Sequence, residues 1–403
     1  MKIYYASQVD INDLGATRSV DIPMIKNLRN LGHDITWIGI NINNHNNIAN
    51  RTLSFNQSSL NKFFMRIRNR IYRLLKLETV EHQKLKALKK YDKWQANILE
   101  QINSEINNQT LFIGRGVGSE LSFKTFKKYG GYCILHSQWM HPDTQKNILE
   151  NELSKLQIEY TQVLPERISI QKNEIDLCDK IWCISNLVYD SYINNGIPED
   201  KLMLCPLGVD SEIFEPSLKK NIIRKDQFVI IFVGNVNIEK GVHFLLEALL
   251  IGQFTNCKLI LNGGISEYFK PILNRYIEKL DDLNIEIEFA NGFPLDNLQK
   301  SDLFILPSLH ESFGLTVLEA MSCSLPVIVT NQVGAKDHVK DGLNGFVVDA
   351  NSSETIAQKI NFFYDNPDAG ISFGDESRKI AENLNYKYIA ERFISSFDIE
   401  EKF

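Results

Sequence analysis

The chain has 403 residues, 43% of them hydrophobic and 23% charged, and its formal net charge at pH 7 is −6. This length is enough for two domains of ordinary size, and the composition is that of a soluble globular protein. The negative charge gives no support to nucleic-acid binding, and no apolar run approaches the roughly 20 residues that a membrane-spanning helix needs.

An alternation of strands and helices begins at the N-terminus. Residues 2–6 predict the first strand, Ile22, Ile25 and Leu28 recur at helical spacing, and residues 35–40 predict the second strand. Because a strand is predicted at the N-terminus, we expect no signal-peptide apolar region there. The six scattered cysteines include no C-x-x-C pair. We therefore expect reduced thiols and a cytoplasmic protein.

Residues 60–93 form the most unusual part of the chain. Eleven lysines and arginines accompany only three acidic residues, and Phe63, Phe64, Ile67 and Ile71 recur among them at helical spacing. The sequence leaves two interpretations of a basic amphipathic helix at 60–76. It lies on an anionic membrane surface, on the inner face of the cell membrane, or it packs on the core and exposes a solvated basic face.

Two further strands of the first sheet are predicted at 111–114 and 132–135. The second of them runs into His136, and a histidine at the carboxyl end of a parallel strand points into a ligand crevice. His136 is therefore a candidate site residue, and the alternative is a structural histidine. Arg115, in the preceding segment GRGVG, is a weaker candidate for contact with an acidic acceptor or a phosphate.

The second half of the chain repeats the alternation. A strand at 180–185 precedes a domain boundary between 206 and 216, and a β-branched strand at 228–233 begins a new sheet. The segment that follows reads Gly234-Asn235-Val236-Asn237-Ile238-Glu239-Lys240-Gly241. Later strands are predicted at 258–261, 285–289, 303–306, 326–329 and 346–348.

The most informative segment is DLFILPSLHESFGLTVLEAMSCSLPVIVT, residues 302–330. It predicts a strand, a turn, a helix at 315–322 and a second parallel strand. The backbone N–H groups at the start of that helix are unsatisfied donors suited to a phosphate, and they belong to Phe313, Gly314, Leu315 and Thr316. Glu311 and Glu319 beside an anion site make sense if each accepts hydrogen bonds from neutral hydroxyls. The alternative for either is a solvated charge.

The run ESFGLTVLEAM resembles the E-x7-E signature of retaining GT-B glycosyltransferases, family 4, and the resemblance extends over nearly the whole chain. It implies an α/β fold with two Rossmann-like domains facing a central crevice. Residues 1–206 would bind the acceptor and 207–380 the nucleotide sugar, while a C-terminal helix at 381–403 would pack back on the first domain.

The resemblance also implies roles for individual residues. Glu319 would hold the ribose hydroxyls, Glu311 the hydroxyls of the donor sugar, and Lys240 the diphosphate. Asn235 stands where the family usually has arginine, which removes a cation. Gly15, Gly234 and the turn at 290–293 would approach the donor, and His136 would lie near the transferred sugar. The chain has no D-x-D sequence, so we expect no metal, and no cofactor besides the donor.

The function that follows is retaining transfer of a sugar from a nucleotide-diphosphate sugar to a glycan or lipid-linked acceptor, in cell-surface polysaccharide synthesis. Two other classes stay open. A sugar-nucleotide epimerase of similar fold would need a proton-abstracting acid–base set, which we do not find in the sequence. A catalytically silent sugar-nucleotide-binding protein is slightly favoured by Asn235 and disfavoured by both glutamates and Lys240.

Overall fold

A computed structural model describes residues 1–10, 20–40, 48–55, 80–155, 165–217, 227–252 and 254–396. Gly15 and the basic segment at 60–76 lie outside these described residues, so the predictions made for them are not addressed by the structure. The chain divides into two compact units. The first unit comprises the described residues of Met1–Ile184, Val188–Pro206 and Ile389–Phe403, and the second comprises those of Ser185–Leu187 and Leu207–Tyr388.

The first unit is built on a parallel sheet. Its described strands pair in the order β3-β2-β1-β4-β5-β6-β7. They are β1 (Lys2–Asp10), β2 (Asp34–Ile40), β3 (Arg51–Phe55), β4 (Thr110–Arg115), β5 (Tyr132–Ser137), β6 (Lys180–Cys183) and β7 (Leu202–Leu204). The helices that alternate with them are α1 (Ile22–Asn30), α2 (Val80–Gln101), α3 (Glu120–Lys128), α4 (Pro142–Lys155), α5 (Pro165–Leu177) and α6 (Asn186–Ile193).

The second unit repeats this plan with described strands in the order β10-β9-β8-β11-β12-β13. They are β8 (Phe228–Val233), β9 (Cys257–Asn262), β10 (Glu286–Ala290), β11 (Leu303–Leu306), β12 (Val327–Thr330) and β13 (Gly345–Val348). The helices are α7 (Val242–Gly252), α8 (Lys270–Asp281), α9 (Leu295–Gln299), α10 (Leu315–Ser322), α11 (Ser353–Asp365), α12 (Pro367–Glu382) and α13 (Tyr386–Ser395).

Continuous apolar runs explain why both sheets are parallel. Every residue of β4 and of β11 is buried, as expected for strands covered by helices on both faces. The predicted α/β class is confirmed, and β8, β11 and α10 have the bounds expected from the sequence. The edge strands β3 and β7 were not predicted, because β3 mixes polar with apolar residues and β7 has only three residues.

The order of the strands locates a ligand-binding edge in each sheet. In the first unit the chain reverses direction across the sheet between β1 and β4, and in the second between β8 and β11. Open α/β sheets bind ligands outside the carboxyl ends of the strands at such a switch point. The loops after β4, β8 and β11 therefore hold the positions where binding residues are expected.

Helix α13 connects the end of the chain to the first unit. Its residues from Ile389 onward belong to that unit, where the ring of Phe393 lies 4.7 Å from the ring of Trp182. This return of the C-terminal helix agrees with the expected GT-B architecture. In the described part of the chain, no helix combines the length and apolar character needed to cross a membrane.

Candidate functional site

The loops after β8 and β11 meet at the switch point of the second unit. The backbone N–H of Leu309 donates to the carbonyl of Glu239 at 2.9 Å, which ties one loop to the other. Gly241 has φ +63°, and a Cβ added there would lie 1.9 Å from the carbonyl oxygen of Pro307. Only glycine allows this approach of the two backbones.

This approach brings together Lys240 and Glu311, two residues predicted to bind the donor. The Nζ of Lys240 donates to Oε2 of Glu311, and both side chains are about one-fifth exposed, at 23% and 20%. The Lys240 backbone is fixed by an N–H bond to Oδ1 of Asn237 at 2.8 Å. The pair neutralises two charges at the ligand edge, and a phosphate would compete with Glu311 for the lysine.

Helix α10 begins at this edge with free backbone donors. Gly314 precedes it with φ +88° and ψ +60°, a left-handed conformation that only glycine adopts easily, and no side chain caps the helix. The N–H groups of Phe313, Gly314, Leu315 and Thr316 have no acceptor among the described residues. They form a partial positive charge at the helix N-terminus, which suits an anion.

Glu319 lies in the second turn of α10 and is only 6% exposed. Burial raises the pKa of its carboxyl to about 7, and within the described chain the carboxyl has no hydrogen-bond partner. An unpaired buried carboxyl is costly unless a ligand supplies donors. The sequence prediction that hydroxyl groups meet Glu319 is consistent with this environment.

The β11–α10 loop (residues 307–314) contains further buried polar atoms that sequence reasoning missed. Ser308 Oγ, His310 Nε2 and Ser312 Oγ are buried without a partner in the described structure. Burial lowers the pKa of His310, so its ring is neutral near pH 7. Polar residues directly after a switch-point strand were the available signal. Together with the free N–H groups, these atoms make the loop a polar surface with unused hydrogen-bonding capacity.

Asn235 and Gly234 lie directly after β8. The N–H of Gly234 donates to the carbonyl of Asn262 at 3.0 Å, and the side chain of Asn235 is exposed. Asn235 therefore presents an uncharged amide at the position where the resemblance to GT-B glycosyltransferases leads us to expect arginine. Among the described residues, no cluster of three or more His, Cys, Asp or Glu side chains could hold a metal ion.

His136 is the penultimate residue of β5 in the first unit and is fully buried. Its ring stacks on Trp182 with centroids 4.0 Å apart, and neither ring nitrogen has a hydrogen-bond partner in the described structure. Burial, reinforced by the nearby charge of Arg115, holds the pKa of His136 well below its ordinary value. The imidazole is therefore neutral, and its predicted role near the transferred sugar stays a prediction.

Arg115 has an internal partner instead of a ligand. It is buried and forms a 3.1 Å ion pair with Asp21, which also accepts a hydrogen bond from the hydroxyl of Tyr5. The structure gives no support to contact of Arg115 with a phosphate or an acidic acceptor, because the guanidinium is buried against Asp21. The glycine-rich loop that follows is also occupied from within. Its backbone N–H groups at 117–119 donate to the buried carboxylate of Glu174 at 2.6–2.8 Å.

Residues 214–384 match the family model described as Glycosyl transferases group 1. Over 192 residues, 47% of this chain and 49% of the relative, the sequence is 28% identical to the capsular polysaccharide biosynthesis glycosyltransferase CapM of Staphylococcus aureus. Over 222 residues, 51% of this chain and 54% of the relative, it is 27% identical to the Escherichia coli UDP-Gal:alpha-D-GlcNAc-diphosphoundecaprenol alpha-1,3-galactosyltransferase. The chain thus spans about half the length of the curated relatives that it matches.

Among solved structures, Anabaena Alr3699/HepE in complex with UDP is similar to this chain with a TM-score of 0.65. The match covers 98% of this chain and 99% of the Anabaena chain at 15% sequence identity. At this identity the likeness shows the fold alone.

Proposed function

We propose that this chain, which has the GT-B fold and carries a Glycosyl transferases group 1 domain at 214–384, transfers a sugar from a nucleotide-diphosphate sugar to a glycan or lipid-linked acceptor. One observation carries the proposal. At the switch point of the second unit, free helix N–H groups, a lysine and two carboxylates lie on adjoining loops and one short helix. This combination suits a ligand that joins an anionic diphosphate to two sets of hydroxyl groups.

In this proposal the diphosphate binds at the N-terminus of α10 together with Lys240. Donor binding would draw Lys240 from Glu311 to a phosphate oxygen, because a diphosphate is the stronger anionic partner. The released Glu311 then accepts hydrogen bonds from the sugar, while Glu319 accepts them from the ribose. The donor would thus give the N–H groups of α10 an acceptor and give Glu319 hydrogen-bond donors. It would also replace the internal ion pair between Lys240 and Glu311.

The second half of the mechanism is stabilisation of the leaving diphosphate. Negative charge grows on the diphosphate as the glycosidic bond breaks, and preformed N–H donors with Lys240 stabilise that charge without a metal ion. Retention of configuration is proposed on the E-x7-E resemblance, with the leaving phosphate accepting the proton of the incoming hydroxyl. We assign His136 to the sugar side as a neutral hydrogen-bonding group.

The acceptor and the cellular setting are assigned from the domain organisation and from the similarity to named relatives. We assign residues 1–206 to the acceptor and 207–380 to the donor, and place the reaction in cell-surface polysaccharide synthesis. The similarity to relatives whose names state capsular polysaccharide synthesis and a lipid-linked acceptor supports this choice. All six cysteines are free and buried, which suits a reducing cytoplasm.

The basic segment at 60–76 gives this proposal a membrane component that rests on sequence alone. Four arginines, Arg66, Arg68, Arg70 and Arg73, would each contribute about 1 kcal/mol of attraction to anionic lipid. Changing all four to glutamine should abolish co-sedimentation with anionic vesicles and leave hydrolysis of the donor intact. Failure of the wild-type protein to sediment with such vesicles at moderate salt would remove this component.

The proposed activity is tested by incubating the protein with a panel of nucleotide sugars and following slow donor hydrolysis. Release of a nucleoside diphosphate supports the transferase. An epimeric nucleotide sugar would support the epimerase instead, and nucleotide binding without any turnover would support a silent binding protein.

A further inference from the structure

A cavity of about 320 Å³ lies in the first unit, separate from the loops that bind the donor in our proposal. Helices α2, α3 and α5 and the loop after β4 line it, and we call it the α2–α3–α5 pocket. Its apolar walls are Leu85, Leu88, Val117, Leu121 and Ile170. The volume and the apolar lining are those of a small-molecule site.

Part of the pocket lining comes from the loop at the switch point of the first sheet. Val117 and Gly118 follow the end of β4, the strand at which the chain reverses direction across the first sheet. Ligands of open α/β sheets bind outside this end of the strands. The α2–α3–α5 pocket therefore lies where the first unit is expected to bind its own ligand.

The strained backbone of Val117, one of the lining residues, supports a ligand-binding role for the pocket. Val117 has φ +63°, a left-handed conformation that is a genuine outlier for a β-branched residue. Glycines flank it on both sides, yet valine stands at the strained position and packs in the wall with Leu85 and Ile170. Strain of this kind persists where the surroundings fix it, and it concentrates at ligand sites. Here Glu174 fixes it by accepting the N–H of Val117 at 2.6 Å.

Most of the polar groups around the pocket already have partners. Asp92 accepts hydrogen bonds from backbone N–H groups at the start of α3, Glu120 pairs with Lys124, and Lys89 pairs with Glu166. A polar ligand body would have to break such contacts or lose its own hydrogen bonds to water. A hydrocarbon chain makes no hydrogen bonds to water and needs no partner in the pocket. The apolar walls therefore favour a hydrocarbon chain.

Lys93 is the exception at the rim. Its side chain is exposed, and no hydrogen bond or ion pair joins it to any described residue. An unpaired ammonium group at the mouth of an apolar pocket favours a ligand whose apolar part ends in an anion.

We infer that the α2–α3–α5 pocket binds the hydrocarbon chain of an anionic amphiphile, with the phosphate-type headgroup at Lys93. If the proposed transfer is correct, on which this last step rests, the amphiphile is the lipid part of the acceptor. The inference then narrows the acceptor class from any glycan to a lipid phosphate that carries the accepting hydroxyl.

The test is equilibrium binding of dodecyl phosphate below its micellar concentration, measured by titration calorimetry without donor. We expect saturable binding that is about tenfold or more tighter than that of dodecyl maltoside, because the maltoside lacks the charge. Inorganic phosphate should show no comparable binding, because it lacks the chain. Equal binding of inorganic phosphate, or no saturable binding of dodecyl phosphate, would overturn the inference.

Matched variants locate the bound probe. Leu121→Gln should weaken dodecyl phosphate by about tenfold, since it places an amide in the chain's path. Leu31→Gln is the control, because Leu31 is similarly exposed, at 38% against 43% for Leu121, but lies outside the pocket. Lys93→Gln should remove the preference for the phosphate, and Lys26→Gln, at an exposed lysine of α1, should not.

Unchanged binding in both Leu121→Gln and Leu88→Gln would show that the chain binds elsewhere and would overturn the assignment. Leu88 is half-buried and provides a second position if Leu121→Gln fails to fold. Donor hydrolysis by the wild-type protein is measured separately. Amphiphile binding without donor hydrolysis would support the pocket assignment and contradict the proposed transfer. Donor hydrolysis without amphiphile binding would support the transfer and contradict the pocket assignment.

Discussion

The β4–α3 loop (residues 116–119) of the first unit and the β11–α10 loop of the second unit occupy equivalent places in their sheets. The first follows β4, which pairs with β1, and the second follows β11, which pairs with β8. Each loop leads to a helix. In the first, backbone N–H groups donate to Glu174, and Asp92 accepts from the start of the helix. In the second, the N–H groups at the start of α10 have no acceptor in the described structure, and Glu319 has no donor.

This difference separates a loop whose backbone donors are satisfied by the protein's own chain from a loop that leaves its donors to a nucleotide. Both have glycines and both offer an anion site, so glycine content does not distinguish them. The first unit supplies the acceptor from its own chain, the carboxyl group of Glu174, which fixes the loop. The second unit leaves the anion to a ligand. Unsatisfied hydrogen-bonding groups therefore identify the loop proposed to bind the nucleotide, and the following predictions alter one loop at a time.

The largest expected effect belongs to Glu311. Glu311→Ala should reduce transfer and donor hydrolysis by roughly 10²–10³-fold, because the bound sugar loses a positioned carboxylate. Steady-state kinetics with a saturating donor measures this effect. Glu267→Ala, an exposed glutamate of the same unit, is the control and should keep the wild-type rate. A rate within threefold of wild type in Glu311→Ala would exclude a role for Glu311 at the sugar.

Replacing Glu174 in the first unit should lower the stability of that unit and leave nucleoside diphosphate affinity unchanged. Glu174→Ala leaves three buried N–H groups without an acceptor, which should lower the free energy of unfolding by about 3 kcal/mol. All four tryptophans lie in the first unit, so tryptophan fluorescence during urea unfolding reports on that unit.

The matched control for this prediction is Glu166→Ala on the same helix, since its exposed ion pair should contribute less than about 1 kcal/mol. Equal destabilisation by the two variants, or weaker nucleoside diphosphate binding in Glu174→Ala, would break the contrast between the loops.

Nucleotide binding should depend on pH through Glu319. The pKa of its carboxyl is about 7, so at pH 6 the group is mostly protonated and accepts hydroxyl hydrogen bonds poorly. Affinity for a nucleoside diphosphate should therefore rise by about tenfold between pH 6 and pH 8, as the bound state favours the carboxylate. Glu319→Gln should bind with a flatter profile. An identical pH profile for this variant and wild type would contradict the assigned role.

The smallest effect is expected at Asn235. Asn235→Arg should tighten nucleoside diphosphate binding by about fivefold, with a larger gain at low salt, because it adds a cation beside the diphosphate. Asn194→Arg adds the same charge at an exposed position of the first unit and should change affinity little. No gain in Asn235→Arg would mean that the loop after β8 is not aligned with the family's arginine as we propose.

The sequence predicted the parts of the second unit that local patterns determine. Apolar runs located β8 and β11, and the glutamate spacing pointed to α10 because one helix carries Glu319 and follows the loop of Glu311. The enclosure of His136 could not be predicted, because Trp182, 46 positions later, stacks on it only when β5 and β6 pair. The same holds for Glu174, which closes a loop more than 50 positions earlier in the chain.

The central claim is that the two carboxylates of the second unit hold different parts of one donor. Titration calorimetry of a free nucleoside diphosphate against Glu319→Ala and Glu311→Ala tests it most directly. We predict a loss of ~1–3 kcal/mol for Glu319→Ala, which loses a charge-assisted hydrogen bond to the ribose. Glu311→Ala should bind as well as wild type or more tightly, because Lys240 is freed from its ion pair. Equal losses of nucleotide affinity in the two variants would contradict the claim.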